Sequence, residues 1–153
     1  MKSISYFIVI TVFTVFCACN ASKPSIIPPS SVSESFKIKY PEVQKVKWAI
    51  EDSSKLEANF IFNGKETSAI FKVSGQWVLT EIKVGRSEIP VTVSRTLEDG
   101  FGEYRILLIE KIESSTKGNY FKFKMSNGNE VTYMNLSSSG VVMGKEQSEE
   151  DED

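Results

Sequence analysis

The sequence predicts an α+β fold in which short helices pack on one face of an antiparallel sheet. Three consecutive alternating runs, residues 56–62, 67–73 and 77–81, are typical of strands with one buried and one solvated face. Asn63-Gly64 joins the first two runs, and Ser74-Gly75-Gln76 follows the second. Such residues accept the positive φ that tight hairpin turns require. The pattern therefore predicts a meander around which the rest of the chain is organised.

Length and composition indicate one folded domain. A chain of 153 residues has room for one hydrophobic core once its ends are discounted. Its 41% hydrophobic and 25% charged residues are the proportions of a folded soluble domain rather than of a disordered chain. The net charge of −2 provides no field that would attract a polyanion. We therefore expect no nucleic-acid partner.

The N-terminal segment, residues 1–21, has the pattern of a signal peptide. Lys2 supplies the positive end, and an apolar run of about 13 residues follows, a length too short to span a membrane comfortably. Ala18 before Cys19 resembles a bacterial lipobox, which would make Cys19 the lipid-carrying residue, although Phe16 departs from the usual aliphatic residue. Cleavage after Ala21 is the alternative. A lipid on Cys19 would be the protein's one membrane contact.

A tether and a short helix are expected next. Residues 22–31 are rich in Pro, Ser and Lys, a composition that favours neither helix nor strand. Ser31 or Ser33 is a plausible N-cap, and Val32, Phe36 and Tyr40 then share one helical face before a proline ends the helix. Because a helix this short is unstable alone, we expect it to lie on the sheet.

Four strands complete the first half of the predicted domain. The first of them, residues 45–51, precedes the three runs described above. Alternation predicts that the covered face carries the following residues: Val46, Trp48, Ile50, Leu56, Ala58, Phe60, Phe62, Ala69, Phe71 and Val73. Tyr40 and Trp48 are interpreted as core residues because they continue these apolar stripes.

The second half repeats the order of the first. Pro90 suits a first helical turn, and Val93 and Leu97 form a helical stripe. Strands are then expected at 104–112, 120–126, 131–137 and 140–142, followed by an acidic, disordered tail over 144–153. The domain thus spans 32–143, as two helix-plus-four-strand units at 32–84 and 87–143.

Spacing suggests a duplication. The two Asn-Gly turns lie about 64 residues apart, Gly75 lies about 65 before Gly140, and Trp48 aligns with Leu108 about 60 residues later. The alternative is that any meander produces evenly spaced turns.

A series of short motifs resembles a known family. They are Phe36, Tyr40-Pro41, Val46, Trp48, Asn63-Gly64, Gly75-Gln76-Trp77, Thr80-Glu81, Ile89-Pro90, Tyr104, Ile106 and Glu110. In this order they look like the PepSY-like, β-lactamase-inhibitor-like (BLIP-like) family of exported bacterial proteins, common in Bacteroidetes. The resemblance covers roughly residues 36–142. It implies two tandem helix-and-sheet units and a shape shared with proteins thought to restrain enzymes, but no established activity.

The residue inventory argues against catalysis. The chain has no histidine, so Ser-His-Asp and Cys-His arrangements are impossible. Both cysteines, Cys17 and Cys19, lie in the predicted signal region. Only Glu81 and Glu110, near strand ends, could form a carboxylate pair of the glycosidase kind. We predict no enzyme, cofactor or metal, and a carboxylate-dependent envelope enzyme remains the alternative.

The open face of the sheet is the predicted binding surface. Alternation directs the following apolar and aromatic residues to this opposite face: Ile61, Ile70, Tyr120, Val131, Tyr133 and Trp77. Aromatic side chains with a polar end, interleaved with lysine and glutamate, are typical of protein interfaces. A slip of one residue in register would instead bury these residues. The sequence therefore predicts an exported envelope module that binds a protein or peptide. An inhibitory or chaperone-like role is open, and a purely structural role is a further alternative.

Overall fold

The computed structural model describes residues 25–147, with side chains described as far as Lys145. The predicted signal peptide, with Cys19, and the last six residues lie outside this range. Two helices, α1 Ser30–Lys39 and α2 Val91–Phe101, are each followed by four strands. The strands are β1 Val46–Asp52, β2 Lys55–Phe62, β3 Lys65–Lys72, β4 Trp77–Lys83, β5 Arg105–Ser114, β6 Gly118–Ser126, β7 Val131–Ser137 and β8 Val142–Gln147. A short 3-10 turn, Arg86–Glu88, precedes α2.

All eight strands form one antiparallel sheet in which each strand pairs with its neighbours in sequence. The β2–β3 hairpin turns at Asn63 and Gly64, which both have positive φ, 50° and 76°. Two such residues in succession give the turn whose twist matches that of the flanking strands. The meander predicted from the alternating runs is therefore confirmed.

Both helices lie on the same face of the sheet. Ala69 on β3, Thr80 on β4 and Glu113 on β5 are cross-strand partners, so their side chains project from one face of the sheet, the face that α1 covers. Ile109 lies four residues before Glu113 on β5 and therefore on the same face, and it packs in the core under α2. Two clusters result, one under each helix, and the opposite face of the sheet is covered by neither. We call this uncovered side the open face.

Aromatic packing fixes α1 on β1–β3. The Phe36 ring contacts four other rings with centroid separations of 5.1 to 6.2 Å, those of Tyr40, Trp48, Phe60 and Phe71. Each of these side chains is buried, so the residues assigned to the core by alternation form it. Ile50 and Val73 are exceptions, at 58% and 47% exposed; Ile50 lies near the end of β1 and Val73 just beyond the end of β3.

Helix boundaries differ slightly from those expected. Pro29 and Pro90 occupy the N-cap positions, and neither helix has a side-chain cap, so the predicted serine cap of α1 is wrong. Proline suits this place because its fixed φ is compatible with entry into a helix. The α1 helix ends before Pro41 as predicted, and α2 extends to Phe101.

The chain ends are more ordered than their composition indicated. Within the predicted tether, the Ile26 N–H donates to the Trp48 carbonyl at 3.2 Å, and Ile26 packs on the α1 core. At the other end, β8 begins at Val142 and continues to Gln147, inside the segment expected to be an acidic tail. Backbone pairing with β7 therefore overrides the polar composition of residues 144–147.

Within residues 25–147, neither helix has the length and apolar composition needed to cross a membrane.

Candidate functional site

A cavity of about 810 Å³ lies on the open face. Its wall includes residues from β1 to β5, among them Lys47, Asn59, Ser68, Glu81 and Glu110. In a flat sheet β1 and β5 would be about 19 Å apart, four strand spacings. The cavity therefore extends across five adjacent strands, and the open face is concave there.

A charged cluster forms one wall of this cavity. The Lys122 Nζ donates to Glu81 Oε1 at 3.1 Å and lies 3.7 Å from Glu110 Oε2. Ser68 Oγ donates to the other oxygen of Glu81 at 3.2 Å. The three charged side chains come from β4, β5 and β6, and cross-strand pairing sets Lys122 directly opposite Glu110. The two carboxylates, which we call the carboxylate pair, therefore meet at one lysine.

Burial gives this cluster unusual acid–base properties. The Glu81 and Glu110 side chains are only 20% and 19% exposed. Burial raises the pKa of Glu110, and the neighbouring Glu81 charge raises it further, against the opposing effect of Lys122. Burial by itself lowers the pKa of Lys122, but the two carboxylates outweigh it and the pKa lies above its usual value. One half-buried cation thus faces two carboxylates.

A second ion pair lies beside the cluster. Lys83 Nζ donates to Glu66 Oε2 at 3.0 Å, and both side chains are more than half exposed. Lys83 is also the cross-strand partner of Glu110 and lowers the pKa of that carboxyl by its charge. Because its ammonium is bonded to Glu66, Lys83 compensates Glu110 only at longer range.

Four of the five predicted partner-binding residues lie on the open face. Ile61 is 60% exposed and lines the cavity. Ile70 and Tyr133 are half-buried, and the Lys122 and Lys124 ammoniums each lie 5.6 Å from the centre of the Tyr133 ring. Tyr120 is on this face, opposite Ile112, but is only 8% exposed. Tyr120 therefore supports the surface more than it offers contact area.

Trp77 lies on the helix face, so its predicted place on the open face is wrong. A bulge between β3 and β4 makes Trp77 the partner of Phe71, whereas Leu79 pairs with Ile70. The extra residue reverses the alternation, as β-bulges do. The Trp77 ring packs on the α1 core, its Nε1 donates to Thr80 Oγ1 at 3.0 Å, and the Lys39 ammonium lies 3.8 Å from the ring centre.

Sequence reasoning missed the apolar part of the open face. Ile112 is fully buried there, while Leu79 and Leu108 are half-buried. The unbroken apolar run Ile106-Leu107-Leu108-Ile109 indicates apolar residues on both faces of β5, since a strand covered on both faces lacks alternation. A bulge at this run also places Leu108 on the open face and Ile109 in the core. Ile109, rather than Leu108, is thus the core residue at this place in β5.

A smaller cavity of about 310 Å³ lies between α2 and the sheet. Ile89, Leu97, Phe101 and Met125 form its apolar wall, with Arg86 and Glu98 among its polar residues. It opens on the α2 side of the sheet rather than on the open face. Among residues 25–147, no three acidic or cysteine side chains converge in a manner that could hold a metal ion.

The architecture is that of the BLIP-like and DUF2874 proteins of Bacteroides. A DUF2874 family protein from Bacteroides ovatus ATCC 8483 superposes with a TM-score of 0.74 at 24% identity, over 80% of this chain and 89% of that one. A BLIP-like protein from Bacteroides fragilis NCTC 9343 gives a TM-score of 0.73 at 17% identity, over 84% and 92%. The resemblance to BLIP-like proteins is therefore confirmed at the level of the fold, and its PepSY-like part stays a prediction.

A third solved structure has the same fold. It is a protein from Bacteroides eggerthii DSM 20697 that is provisionally described as periplasmic, with a TM-score of 0.73 at 18% identity over 80% of this chain and 90% of that one. No family model matches the chain, and no curated protein matches it in sequence. None of the three names carries a catalytic activity.

Proposed function

We propose that this chain is an exported module of the cell envelope that binds a protein or peptide on the concave open face of its sheet. One observation carries the proposal: both helices pack on one face, while the other presents an 810 Å³ cavity with apolar and charged walls. Cavities of this kind, with a few convergent polar groups, are common binding sites.

The surface chemistry favours a protein or peptide. Ile61 supplies exposed apolar area, Tyr133 supplies a ring flanked by two lysines, and the charged cluster lies between them in the same curved surface. Interfaces combine apolar and aromatic anchors with charged groups that fix orientation. The name of the BLIP-like neighbour agrees with a binding role. This support is an analogy of fold, and fold does not determine function by itself. An inhibitory or chaperone-like effect on the partner is the finer form of this proposal.

Export and anchoring belong to the same proposal. The signal-like pattern of residues 1–21 supports export, and the B. eggerthii neighbour, provisionally periplasmic, has the same fold. We propose that Cys19 is the lipid attachment site, with cleavage after Ala21 as the alternative. Under either ending the domain is placed outside the cytoplasm.

We also infer that the domain arose from two tandem units. Gly75 approaches the backbone of Ser31 on α1, and Gly140 approaches the backbone of Thr92 on α2 in the same manner. Ser31 Oγ donates to the Val73 carbonyl at 3.1 Å, and Thr92 Oγ1 donates to the Ser138 carbonyl at 3.0 Å. The matching residues recur at nearly constant spacing, which supports duplication more strongly than evenly spaced turns alone.

A capture experiment tests the binding proposal. The full chain is immobilised and exposed to an envelope extract, beside a variant carrying Ile61→Asp and Tyr133→Ala and a control carrying Ile38→Asp. Ile38 is 83% exposed on α1, so the control adds a comparable charge on the covered side of the molecule. We expect a partner that the native chain and the control retain and the open-face variant loses. Equal capture by all three proteins would contradict the proposal.

A carboxylate-dependent enzyme is the second candidate. The structure brings Glu81 and Glu110 to one lysine, and the raised pKa of Glu110 is the property that a general acid needs. The Lys122 ammonium, however, bridges the two carboxylates, where a glycosidase leaves room for the sugar. If Glu81→Gln and Glu110→Gln each leave the chain folded and abolish hydrolysis of a glycan substrate, the enzyme interpretation replaces the binding one. A purely structural component would tolerate every open-face substitution.

A further inference from the structure

The carboxylate pair has more hydrogen-bond acceptors than the surrounding residues satisfy. Among residues 25–147, the single ion pair of Glu110 is the one to Lys122 at 3.7 Å, which is longer than a normal charged hydrogen bond. Glu81 receives Lys122 on one oxygen and Ser68 on the other. An ionised carboxylate offers about four acceptor sites. Glu110 therefore retains most of its acceptor capacity while being largely buried.

The cluster also carries more negative than positive charge. Lys122 is one cation between two carboxylates, and the neighbouring Lys83 ammonium is bonded to Glu66. Burying a charge without a partner is unfavourable, and the raised pKa of Glu110 is the expected response. Lys45 and Lys47 also line the cavity, so the excess of negative charge belongs to the cluster of Glu81, Glu110 and Lys122 itself. A further cation beside Glu110 would balance that cluster.

Asn135 provides an independent observation. It lies directly opposite Lys122 on β7, in the same row of the open face as Glu110. Its Oδ1 atom is fully buried and has no hydrogen-bond partner among the described residues. Buried acceptors are seldom left unpaired in folded proteins. Glu110 on β5 and Asn135 on β7 thus each have an oxygen with unused acceptor capacity in this row.

The cavity next to the carboxylate pair suits a long, cationic side chain. Both carboxylates line it, and Leu108 and Ile61 add apolar wall. Lysine and arginine lay their aliphatic stems along apolar surface while the charged end reaches a polar group. Arginine is the better match, because its planar guanidinium donates hydrogen bonds in two directions and is less strongly hydrated than an ammonium, so its transfer out of water costs less free energy.

On the basis of the binding function proposed above, we propose that the partner inserts an arginine side chain, or a lysine, between the wall formed by Leu108 and the carboxylate pair Glu81 and Glu110. The guest cation completes an arrangement of two cations and two carboxylates. The partner is accordingly a protein or peptide that presents an exposed basic side chain on a protruding segment.

A random peptide library displayed on phage tests this chemistry even though the partner is unidentified. The full chain is the bait, beside a Glu81→Gln, Glu110→Gln variant and a Glu103→Gln variant. Glu103 is exposed in the turn after α2, so its replacement removes charge outside the site. We expect arginine or lysine at one fixed position in the peptides that the native chain and the Glu103→Gln variant retain, and no such bias with the double variant.

A chemical substitution in the peptide avoids any question of protein folding. The best peptide is synthesised with arginine and with citrulline, which has the same shape without the charge. We expect citrulline to weaken binding at least about tenfold, the effect of losing one charge-assisted hydrogen bond. Equal affinities would overturn the proposal.

The outcomes separate this inference from the function on which it rests. Peptides that bind without a basic residue and are lost on Ile61→Asp would overturn the inference and leave the open face as a binding surface. Failure to retain any peptide would overturn the inference, while the capture experiment with envelope extract would still decide the proposed function.

Discussion

Gly75 lies so close to α1 that a Cβ atom at this position would stand 2.7 Å from the carbonyl oxygen of Ser31. The Ser31 hydroxyl donates to the Val73 carbonyl two residues earlier. The β3–β4 turn therefore contacts the first turn of α1 through the backbone at Gly75 as well as through the Ser31 hydroxyl. Gly75 also has φ of +91°, a conformation that other residues rarely adopt.

Replacing Gly75 by alanine should destabilise the fold strongly. The positive φ contributes about 1–2 kcal/mol, and displacement of α1 by the new methyl group adds about 1–3 kcal/mol. Gly64→Ala is the matched control, because Gly64 has φ of +76° and open space where its Cβ would lie. Urea unfolding followed by tryptophan fluorescence measures both variants. Equal losses would show that the close approach to Ser31 has no energetic effect.

Gly140→Ala tests the relationship between the two halves. A Cβ there would lie 2.7 Å from the Thr92 carbonyl oxygen and 2.8 Å from Thr96 Oγ1, at φ of +85°. We expect a loss of stability within about 1 kcal/mol of that of Gly75→Ala, since the geometry and the strain are the same. A cost near that of Gly64→Ala would contradict the equivalence of the two turns.

Local rules predicted the features that depend on neighbouring residues. Asn63-Gly64 forms the expected turn, Pro41 follows the end of α1, and alternation assigned Phe60 and Phe71 to the core. Trp77 was misplaced because alternation cannot show a bulge, which arises from how β3 and β4 pair. Strand β8 was underestimated because its residues 144–147 are ordered by pairing with β7 rather than by apolar content.

The candidate site was predictable only in part. Sequence reasoning named Glu81 and Glu110 as residues that could approach one another, and the structure brings them to Lys122. It did not indicate that a lysine bridges the pair, or which one. The concavity, and the burial of Ile112 and Tyr120 on the open face, depend on how eight strands pair and twist together. No local pattern in one strand contains that information.

Tyr40→Phe should reveal the role of the contact between Tyr40 and Thr80. The two hydroxyls are hydrogen-bonded in the core, and Thr80 also accepts from Trp77. Removing the Tyr40 hydroxyl should lower stability at pH 7 by about 1 kcal/mol, the usual value for a buried hydrogen bond. Urea unfolding measures the loss, and an unchanged midpoint would contradict it.

Alkaline pH gives a second test at Tyr40. Burial raises the pKa of Tyr40 to about 12, an effect that the Thr80 hydrogen bond opposes and the Glu113 charge supports. Because the folded pKa exceeds the ordinary value of 10.0, the contribution is present below pH 10 and is lost as the pH rises to about 12. The native chain should therefore lose stability relative to Tyr40→Phe over this range. A constant difference between the two proteins from pH 9 to pH 12 would refute the effect of burial.

Glu81→Gln should lower the pKa of Glu110. Burial is the main cause of the raised pKa and persists in the variant, whereas the repulsion from Glu81 disappears. The pKa should consequently move toward the ordinary value of 4.5 without reaching it. Titration of the side-chain carboxyl carbon by NMR measures the change. A rise in the pKa, or a value that does not move, would show that the carboxylates are not coupled.

Lys122→Met should make stability strongly dependent on pH. Methionine preserves much of the side-chain volume but leaves two partly buried carboxylates unpaired, which should reduce stability at pH 7 by about 1–3 kcal/mol, less than for a fully buried pair. The pKa of Glu110 should rise further, because Lys122 lowers it more than Lys83 does. A raised pKa means that stability is retained below the unfolded value and lost as the pH rises through the folded one. The difference between Lys122→Met and the native chain, measured by urea unfolding, should accordingly shrink from pH 7 to pH 4, and a gap that widens toward pH 4 would contradict this account of the cluster.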